Sequence, residues 1–354
     1  IQVNPRLYKL EVITYCLKCK HGLSLYAETE KHKILFDMGP NDFFLRNAET
    51  LGVDIADIDI AVISHGHVDH CGGLKYFLEK NQKAKIYLRP QALEEHYVKV
   101  IGIPFYAGMD RTLLSAERFV FADDTHVIDD EITLFSNVNG QFPLPRSDGN
   151  LFMKRNGRLV PDDFCHEQNL IVTSGDSRVL ICGCAHAGIV NIVHRAKTIV
   201  GNEPMAIIGG MHLYEPTMKC YERDEYIDSV AAALAEIKSS YYTCHCTGRL
   251  AYSTLKERMG EGLPHRRESI RENESPLGRS PDIPAHGGRA SDITFWGDYY
   301  VKTGTATRRY FCGDCRLLSY SRGRTFAVCP AHRRVQANQL YGAGCADRCL
   351  CRAH

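Results

Sequence analysis

Short apolar runs with alternating polarity recur along residues 1–263, and helical patterns separate some of them. Ten segments are typical of β-strands: LYKLEVITYC, LSLYAET, HKILFDMG, KIYLRP, RFVFAD, EITLFSN, NLIVTS, RVLICGC, MAIIGG and YYTCHC. Apolar residues recur at helical spacing in GGLKYFLEKN, AGIVNIVHRA and YIDSVAAALAEIKSS. Many strands with a few interleaved helices predict stacked layers, with sheets inside and helices outside.

This pattern weakens at about residue 264. Residues 264–354 carry 15 basic and 8 acidic side chains, a charge of +7, whereas the rest of the chain carries −6. We therefore expect a domain at residues 1–263 and an Arg-rich, poorly patterned extension at 264–354. The absence of excess positive charge from residues 1–263 argues against nucleic acid as the main partner of this domain.

The extension contains a cysteine and histidine pattern that permits three interpretations. Cys312, Cys315, Cys329 and His332 have the spacing C-x2-C-x13-C-x2-H, which is typical of a small zinc ribbon. The surrounding composition is also compatible with a disordered or non-native extension. A disulfide-bonded tail is the third possibility.

The location of the protein is inferred from two negative features of the sequence. No segment has the roughly 18 uninterrupted apolar residues of a membrane span. The first residues lack a basic segment followed by an apolar run, so the sequence shows no signal peptide. We expect a cytoplasmic protein without a membrane partner, in which the fifteen cysteines are reduced.

The segment SHGHVDHCGGL places His65, His67, Asp69 and His70 within six positions, directly after an apolar run. Crowded imidazoles repel one another when protonated, and a bound metal ion removes that conflict because neutral imidazole and carboxylate both bind zinc. His65 and His67 are two residues apart, so they point the same way in an extended segment. Asp69 and His70 follow where the chain turns, so this segment can serve two adjacent metals.

Three further strand-like runs end in a histidine. His186 follows RVLICGC, His212 follows MAIIGG, and His245 lies in YYTCHC. We expect metal ligands at His65, His67, Asp69, His70, His186 and His245. His212 is either a further ligand or a donor that contacts the substrate. Histidine and carboxylate ligands suit Zn, with Mn or Fe as alternatives, so we expect two divalent cations as cofactors.

These segments resemble the metallo-β-lactamase superfamily. SHGHVDHCGGL is similar to its His-x-His-x-Asp-His metal motif. The segments KHGLSLYAET, HKILFDMG, GCAHAGIVNI, IGGMHL and HCTG resemble the subfamily of 7,8-dihydropterin-6-yl-methyl-4-(β-D-ribofuranosyl)aminobenzene 5′-phosphate synthases. The resemblance covers roughly residues 8–263. It implies an α+β fold, a four-layer αββα sandwich with the metals at one edge of the two sheets.

The chain departs from the superfamily pattern at one ligand. Where the superfamily has a metal-bridging Asp, this chain has Cys184, which either ligates as a thiolate or only shapes the pocket. His186 then stands in for an earlier histidine of the superfamily. His166 is its rival, with Glu167 as a neighbouring acceptor. We expect Asp37 to accept a hydrogen bond from a ligand imidazole, and Asp162 and Asp163 to form a solvated turn.

The resemblance implies a metal-dependent hydrolase or transferase acting on a phosphorylated or pyrophosphorylated small molecule. The subfamily reaction would join a dihydropterin-methyl pyrophosphate to an arylamine ribofuranosyl phosphate. Asp69 and His212 are the candidate catalytic residues. A generic phosphoester or lactone hydrolase and a non-catalytic metal sensor are the alternatives, because one fold hosts many functions.

Overall fold

The computed structural model describes residues 20–114 and 117–260 fully, and elsewhere only the backbone of six strands. The strands are β1 (Lys9–Val12), β2 (Leu25–Glu28), β3 (Lys33–Phe36), β4 (Ile60–Val62), β5 (Lys85–Leu88), β6 (Glu95–Val100), β7 (Ile103–Tyr106), β8 (Phe119–Phe121), β9 (Thr125–Val127), β10 (Ile132–Ser136), β11 (Leu151–Arg155), β12 (Arg158–Pro161), β13 (Gln168–Ser174), β14 (Ser177–Ile181), β15 (Ala206–Gly209), β16 (Tyr214–Glu215), β17 (Cys220–Tyr221), β18 (Ser240–Thr243), β19 (Asp292–Thr294), β20 (Arg309–Cys312), β21 (Cys315–Ser321), β22 (Arg324–Cys329) and β23 (His332–Gln336). The helices are α1 (Phe43–Thr50), α2 (Val68–Cys71), α3 (Leu74–Lys80), α4 (Ile189–Val200), α5 (Asp224–Ala235) and α6 (Arg249–Met259).

Two large sheets form the centre of the fold. The first has the order β19-β1-β2-β3-β4-β5-β8, and the second has the order β18-β15-β14-β13-β10-β9. Strands β3, β4 and β5 are parallel to one another, and so are β14, β15 and β18. Within each of these sets the carboxyl ends of the strands therefore lie at the same edge of the sheet.

Alternate residues of each central strand face different layers. Ile34 and Phe36 of β3 belong to a buried cluster that also contains Val179 and Ile181 of β14, so this cluster fills the space between the sheets. Leu35, between them, packs instead with a cluster that includes residues of α1 and α3. On the second sheet, the outer face is buried with α4, α5 and α6. The predicted αββα sandwich is confirmed, and it arises from the period-two pattern of the strands.

A third sheet of order β12-β11-β6-β7 was not predicted from the sequence. It joins the histidine-rich segment at one point, because the N–H of Val68 donates to the carbonyl of Ala107 at 2.8 Å. The N–H of Ala107 in turn donates to the carbonyl of His96, at 2.8 Å. This sheet therefore lies against the predicted metal motif.

The chain divides into two units, residues 1–296 and 297–354. In the second unit β20 to β23 form one antiparallel sheet in chain order, with Cys312 opposite Cys315 and Cys329 opposite His332. The side chains of these four residues lie outside the described part of the chain. The zinc ribbon and the boundary after residue 263 therefore stay predictions. No helix among the described residues is long and apolar enough to cross a membrane.

A charged bridge spans the two large sheets at the β2–β3 turn. His32 donates from Nδ1 to Asp59 at 2.9 Å and from Nε2 to Asp129 at 2.8 Å. Burial lowers the pKa of His32, but the two carboxylates outweigh burial and raise it above its ordinary value of 6.5. The bridge therefore adds to the free energy of unfolding below about pH 6.5, and this contribution is lost as the pH rises through the folded-state pKa.

We expect the His32→Gln variant to melt below wild type at pH 6, because it loses the charged bridge. The decrease should be only roughly 1–3 °C, because the bridge is partly exposed to solvent. The difference should shrink by pH 9, where the wild-type imidazole is neutral. Thermal unfolding at both pH values measures it, with exposed His194→Gln as the control. An equal loss at both pH values would contradict the charged bridge.

Candidate metal centre

Four strand ends deliver the predicted ligands to one place. The segment after β4 carries His65, His67, Asp69 and His70. Cys184 and His186 follow β14, His212 follows β15, and His245 follows β18. These residues form three overlapping groups in which the potential ligand atoms lie within 4.8 Å of one another. The groups are His65, His67 and His186; Asp69, His70, Cys184 and His245; and Cys184, His186 and His212.

The first group has the free nitrogen atoms that a cation requires. Ser64 Oγ donates to Asp37 Oδ2 at 2.7 Å, so it accepts the Nδ1–H of His65, also at 2.7 Å. The Nδ1–H of His186 donates to Asp148 at 2.6 Å. The opposite Nε2 atoms of His65 and His186 are buried, and neither has a hydrogen-bond partner among the described residues.

Such unpartnered atoms are informative because a buried polar atom without a partner costs about 1–3 kcal/mol. Two of them within one histidine group, each on a ring held by an acceptor on its other side, fit the ligand shell of a divalent cation. The residues present therefore suit the metal that the sequence predicts.

The second group is crowded around His70. Its Nδ1–H donates to Asp37 Oδ2 at 2.6 Å, and its Nε2 lies 3.0 Å from Cys184 Sγ and 3.1 Å from His245 Nε2. His245 Nε2 also lies 3.3 Å from Asp69 Oδ2. These spacings are close to those between ligands of one metal, so this group fits a second cation next to the first.

Local backbone strain is concentrated at this edge. Left-handed φ angles are found at five non-glycine residues in or next to the ligand groups: Asp37, Phe164, Ala185, His212 and His245. Non-glycine residues seldom adopt this conformation, and it persists where the surrounding structure enforces it. Strain held at one end of the fold is typical of a functional site.

The electrostatics of the pocket keep most imidazoles neutral. Burial lowers the pKa of His65 and His186 well below the usual value, and lowers those of His212 and His245 to about 3. Neutral imidazole is the form that binds a metal. Burial also lowers the pKa of His70, but Asp69 and Asp37 outweigh it and raise this pKa to about 9.

Cys184 is protonated unless a cation is near. Burial raises the pKa of its thiol well above the ordinary value, and neighbouring Cys246 raises it further. A coordinated cation lowers a thiol pKa enough to leave a thiolate. The sequence left open whether Cys184 is a ligand. The structure places its sulfur in the second group, close to His70.

His212 is held at the side of the site next to a cavity. Ser147 Oγ donates to the carbonyl of His212 at 2.7 Å and accepts its Nδ1–H at 2.8 Å. The residue before Ser147, Arg146, lines a cavity of about 780 Å³ together with Arg223, Tyr226 and three acidic residues, Glu222, Asp224 and Glu225. The lining of this cavity contacts the residue that holds His212, because Glu222 accepts the N–H of Ser147.

The interpretation of Asp162 needs correction. Asp162 is buried rather than part of a solvated turn, and it interacts with His96 and His166 at the start of β13. Asp163 is exposed, as expected, and pairs with Arg155 at 2.8 Å.

His166 and Glu167 lie next to the three groups, and their roles stay predictions. The His166 ring contacts Asp162 and the N–H of Gly66, and it belongs to a fourth group of potential ligand atoms, with His67, His96 and Asp162. Glu167 accepts the backbone N–H groups of His186 and Ala187 at 2.7 and 2.9 Å, so it fixes the loop rather than an imidazole.

Five further residues lie at this site without a sequence pattern that assigns them to it: His21, Ser64, His96, Asp148 and Asp162. His21 Nε2 lies 3.7 Å from Asp69 Oδ2, and its ring centroid is 4.2 Å from that of His245. It precedes β2 rather than following a strand, so a search of strand ends overlooks it. Asp148 lies in a short 3-10 helix, Arg146–Asn150, which has no apolar periodicity.

Comparison with known proteins agrees with this geometry. The model of the metallo-beta-lactamase superfamily matches residues 18–202. Two proteins of Methanocaldococcus jannaschii are similar. An uncharacterised protein is 28% identical over 241 residues, covering 67% of this chain and 88% of that protein. The 7,8-dihydropterin-6-methyl-4-(beta-D-ribofuranosyl)-aminobenzene-5′-phosphate synthase is 27% identical over 258 residues, covering 68% and 86%.

A solved structure is similar over the same region. The metal-dependent hydrolase Tm1679 of the beta-lactamase superfamily is 30% identical, with a TM-score of 0.60, and the match covers 71% of this chain and 92% of that one. The family match spans the first ligand motif, β14 and the loop that carries Cys184 and His186. The chain belongs to the metallo-β-lactamase superfamily.

Proposed function

We propose that this protein is a binuclear metal-dependent enzyme, a hydrolase or transferase, acting on a phosphorylated or pyrophosphorylated small molecule. One observation carries the proposal: two adjacent groups of potential ligand side chains, all buried except the half-buried Asp69, one of which has unpartnered nitrogen atoms. His65, His67 and His186 would hold one cation, and Asp69, His70, Cys184 and His245 the other. Zinc suits this mixture of imidazole, carboxylate and thiol best.

Two such cations supply Lewis acidity towards phosphoryl or carbonyl oxygens and lower the pKa of water. The chain itself supplies orientation. Asp37 and Ser64 fix the rings of His70 and His65, and Glu167 holds the loop at His186. Rigidly held groups of this kind act at little reorganisation cost when charge develops in a reaction.

Asp69 and His212 remain the proposed catalytic residues. Asp69 Oδ2 lies 3.6 Å from His70 Nε2 as well as near His245, so its carboxylate can serve both the metal and a reacting group. His212 donates its Nδ1–H to Ser147, and burial lowers its pKa to about 3, so the ring is neutral. Its Nε2 therefore carries a free lone pair, which can accept a proton or a hydrogen bond from the substrate.

The substrate class rests on the relative and on the cavity. The name of the similar synthase includes a ribofuranosyl 5′-phosphate, and the cavity next to Ser147 offers Arg146 and Arg223, beside three acidic side chains. Arginine binds phosphate groups well. We propose the dihydropterin-transfer reaction as the finer activity, and a phosphoester or lactone hydrolase as the alternative. We also propose a cytoplasmic location and reduced cysteines.

Metal analysis of the purified protein should give close to two equivalents of divalent cation. The loaded enzyme should then be assayed with phosphate monoesters and diesters, lactones, and a dihydropterin-methyl pyrophosphate with an aminobenzene ribofuranosyl phosphate. Turnover that stops with a chelator and returns with zinc supports the proposal. A metal-free preparation with full activity, or a loaded protein inactive on every class, contradicts it.

A further inference from the structure

A second cluster of buried ionisable side chains lies behind the first ligand group. It consists of His96 from β6 and of Asp162 and His166 from the loop before β13, and all three side chains are buried. We call these three residues the support cluster. The third sheet and the second large sheet meet at this point.

The carboxylate of Asp162 is the centre of the support cluster. His96 donates from Nδ1 to Asp162 Oδ2 at 2.7 Å, and His166 donates from Nε2 to Asp162 Oδ1 at 3.2 Å. A buried carboxylate costs several kcal/mol unless it is paired, so two donors on different oxygens hold the charge in place.

The support cluster contacts the metal motif through Gly66, which lies between His65 and His67. The N–H of Gly66 donates to His166 Nδ1 at 2.9 Å, which fixes the His166 tautomer that donates to Asp162. A side chain at position 66 would collide with the cluster, because an added Cβ would lie 2.9 Å from His96 Cδ2. The backbone of the motif is therefore packed directly on these residues.

The support cluster also faces His67 itself, because Asp162 Oδ2 lies 3.6 Å from His67 Nε2. Three other ligand histidines have an oxygen acceptor on the nitrogen that faces away from the cation: Ser64 for His65, Asp37 for His70, and Asp148 for His186. His67 Nε2 has no hydrogen bond among the described residues, and Asp162 stands where the fourth acceptor is needed.

We propose that Asp162 is the positioning residue of His67. It accepts the Nε2–H of His67 and leaves Nδ1 for the cation, while His96 and His166 hold its carboxylate and the Gly66 N–H. The inference rests on the metal centre of the proposed function. It makes the third sheet, which the superfamily motif does not include, part of the metal site.

The three residues of the support cluster, together with His67, also satisfy the spacing of a metal site of their own. The hydrogen bonds argue for the positioning role. Both oxygens of Asp162 already have donors, and His166 Nδ1 is occupied by Gly66. A third cation would have to displace this network, whereas closing the remaining 3.6 Å gap to His67 completes it.

The test compares Asp162→Asn with Asp163→Asn, a matched neighbour that is exposed and lies outside the support cluster. Metal affinity is measured on the full chain by competition with a chromophoric chelator. Loss of an orienting acceptor weakens metal binding by roughly 10- to 100-fold. We expect this loss for one zinc equivalent in Asp162→Asn, none for the other equivalent, and no change in Asp163→Asn. The d–d bands of the cobalt protein should change for the affected site.

If Asp162→Asn does not fold, His166→Asn replaces it, because the amide oxygen keeps an acceptor for Gly66 while the donor to Asp162 is lost. It should weaken the same equivalent. Wild type with two equivalents and unaltered binding in the folded variant would overturn the positioning role alone. Three equivalents, with the third lost in the variant, would overturn it in favour of a separate metal site. A wild type that binds no metal would instead end the proposed function.

Discussion

His186→Ala is expected to lose one cation and to reduce turnover by about a thousandfold or more. A metal ion contributes several kcal/mol to transition-state stabilisation, and about 4 kcal/mol corresponds to that factor. His186 is the predicted ligand of the first group that comes from the second sheet, because it follows β14 while His65 and His67 follow β4. The buried Nε2 of His186 has no hydrogen-bond partner among the described residues. The substitution therefore removes a predicted ligand atom without breaking a hydrogen bond of that atom.

The matched control is His194→Ala, on an exposed position of α4, which begins three residues after His186. It should retain two metal equivalents and wild-type turnover. Metal content and kcat are measured on the same preparations, and circular dichroism establishes that both variants are folded. A His186→Ala protein that keeps both cations would show that His186 is not a ligand, and the first group would have to be rebuilt around other residues.

The sequence predicts the layers and the convergence of most candidate ligands for the same physical reason. Alternate residues such as Ile34, Leu35 and Phe36 enter different clusters, so the period-two pattern locates the strands of the sandwich. Parallel strands then bring their carboxyl ends to one edge, where His186 and His245 follow β14 and β18. The local hydrophobic pattern and the direction of the strands together predict that these side chains lie close to one another.

Other parts of the site follow from contacts that the sequence pattern does not contain. Strand β13 runs antiparallel to β14, so its beginning lies at the edge where β14 ends. Asp162 and His166 precede β13, and a search restricted to the ends of strands misses them. The pair Asp162–Asp163 is typical of a turn in sequence, and only tertiary packing shows that one member is buried and the other exposed.

Cys184 distinguishes the chain from the superfamily pattern, and its role gives the second large prediction. Its sulfur lies 3.0 Å from His70 Nε2, in the same group as Asp69 and His245. A cysteine that only fills space has no reason to be placed among ligand atoms. We therefore expect a thiolate ligand, which is softer than a carboxylate and favours zinc over manganese or magnesium.

The Cys184→Ser variant should bind the second cation at least tenfold more weakly, which corresponds to about 1.4 kcal/mol. Cys246→Ser is the matched control. Cys246 is also buried, and its thiol donates to the carbonyl of Cys184 at 3.5 Å. Unlike Cys184, it belongs to none of the ligand groups. Cobalt-substituted wild type and Cys246→Ser should both show a thiolate-to-metal charge-transfer band, and Cys184→Ser should lack it. If Cys184→Ser keeps both cations at wild-type affinity and the wild-type cobalt protein has no such band, the thiol only shapes the pocket. The second cation would then be held by Asp69, His70 and His245, and the softness of sulfur would play no part in the choice of metal.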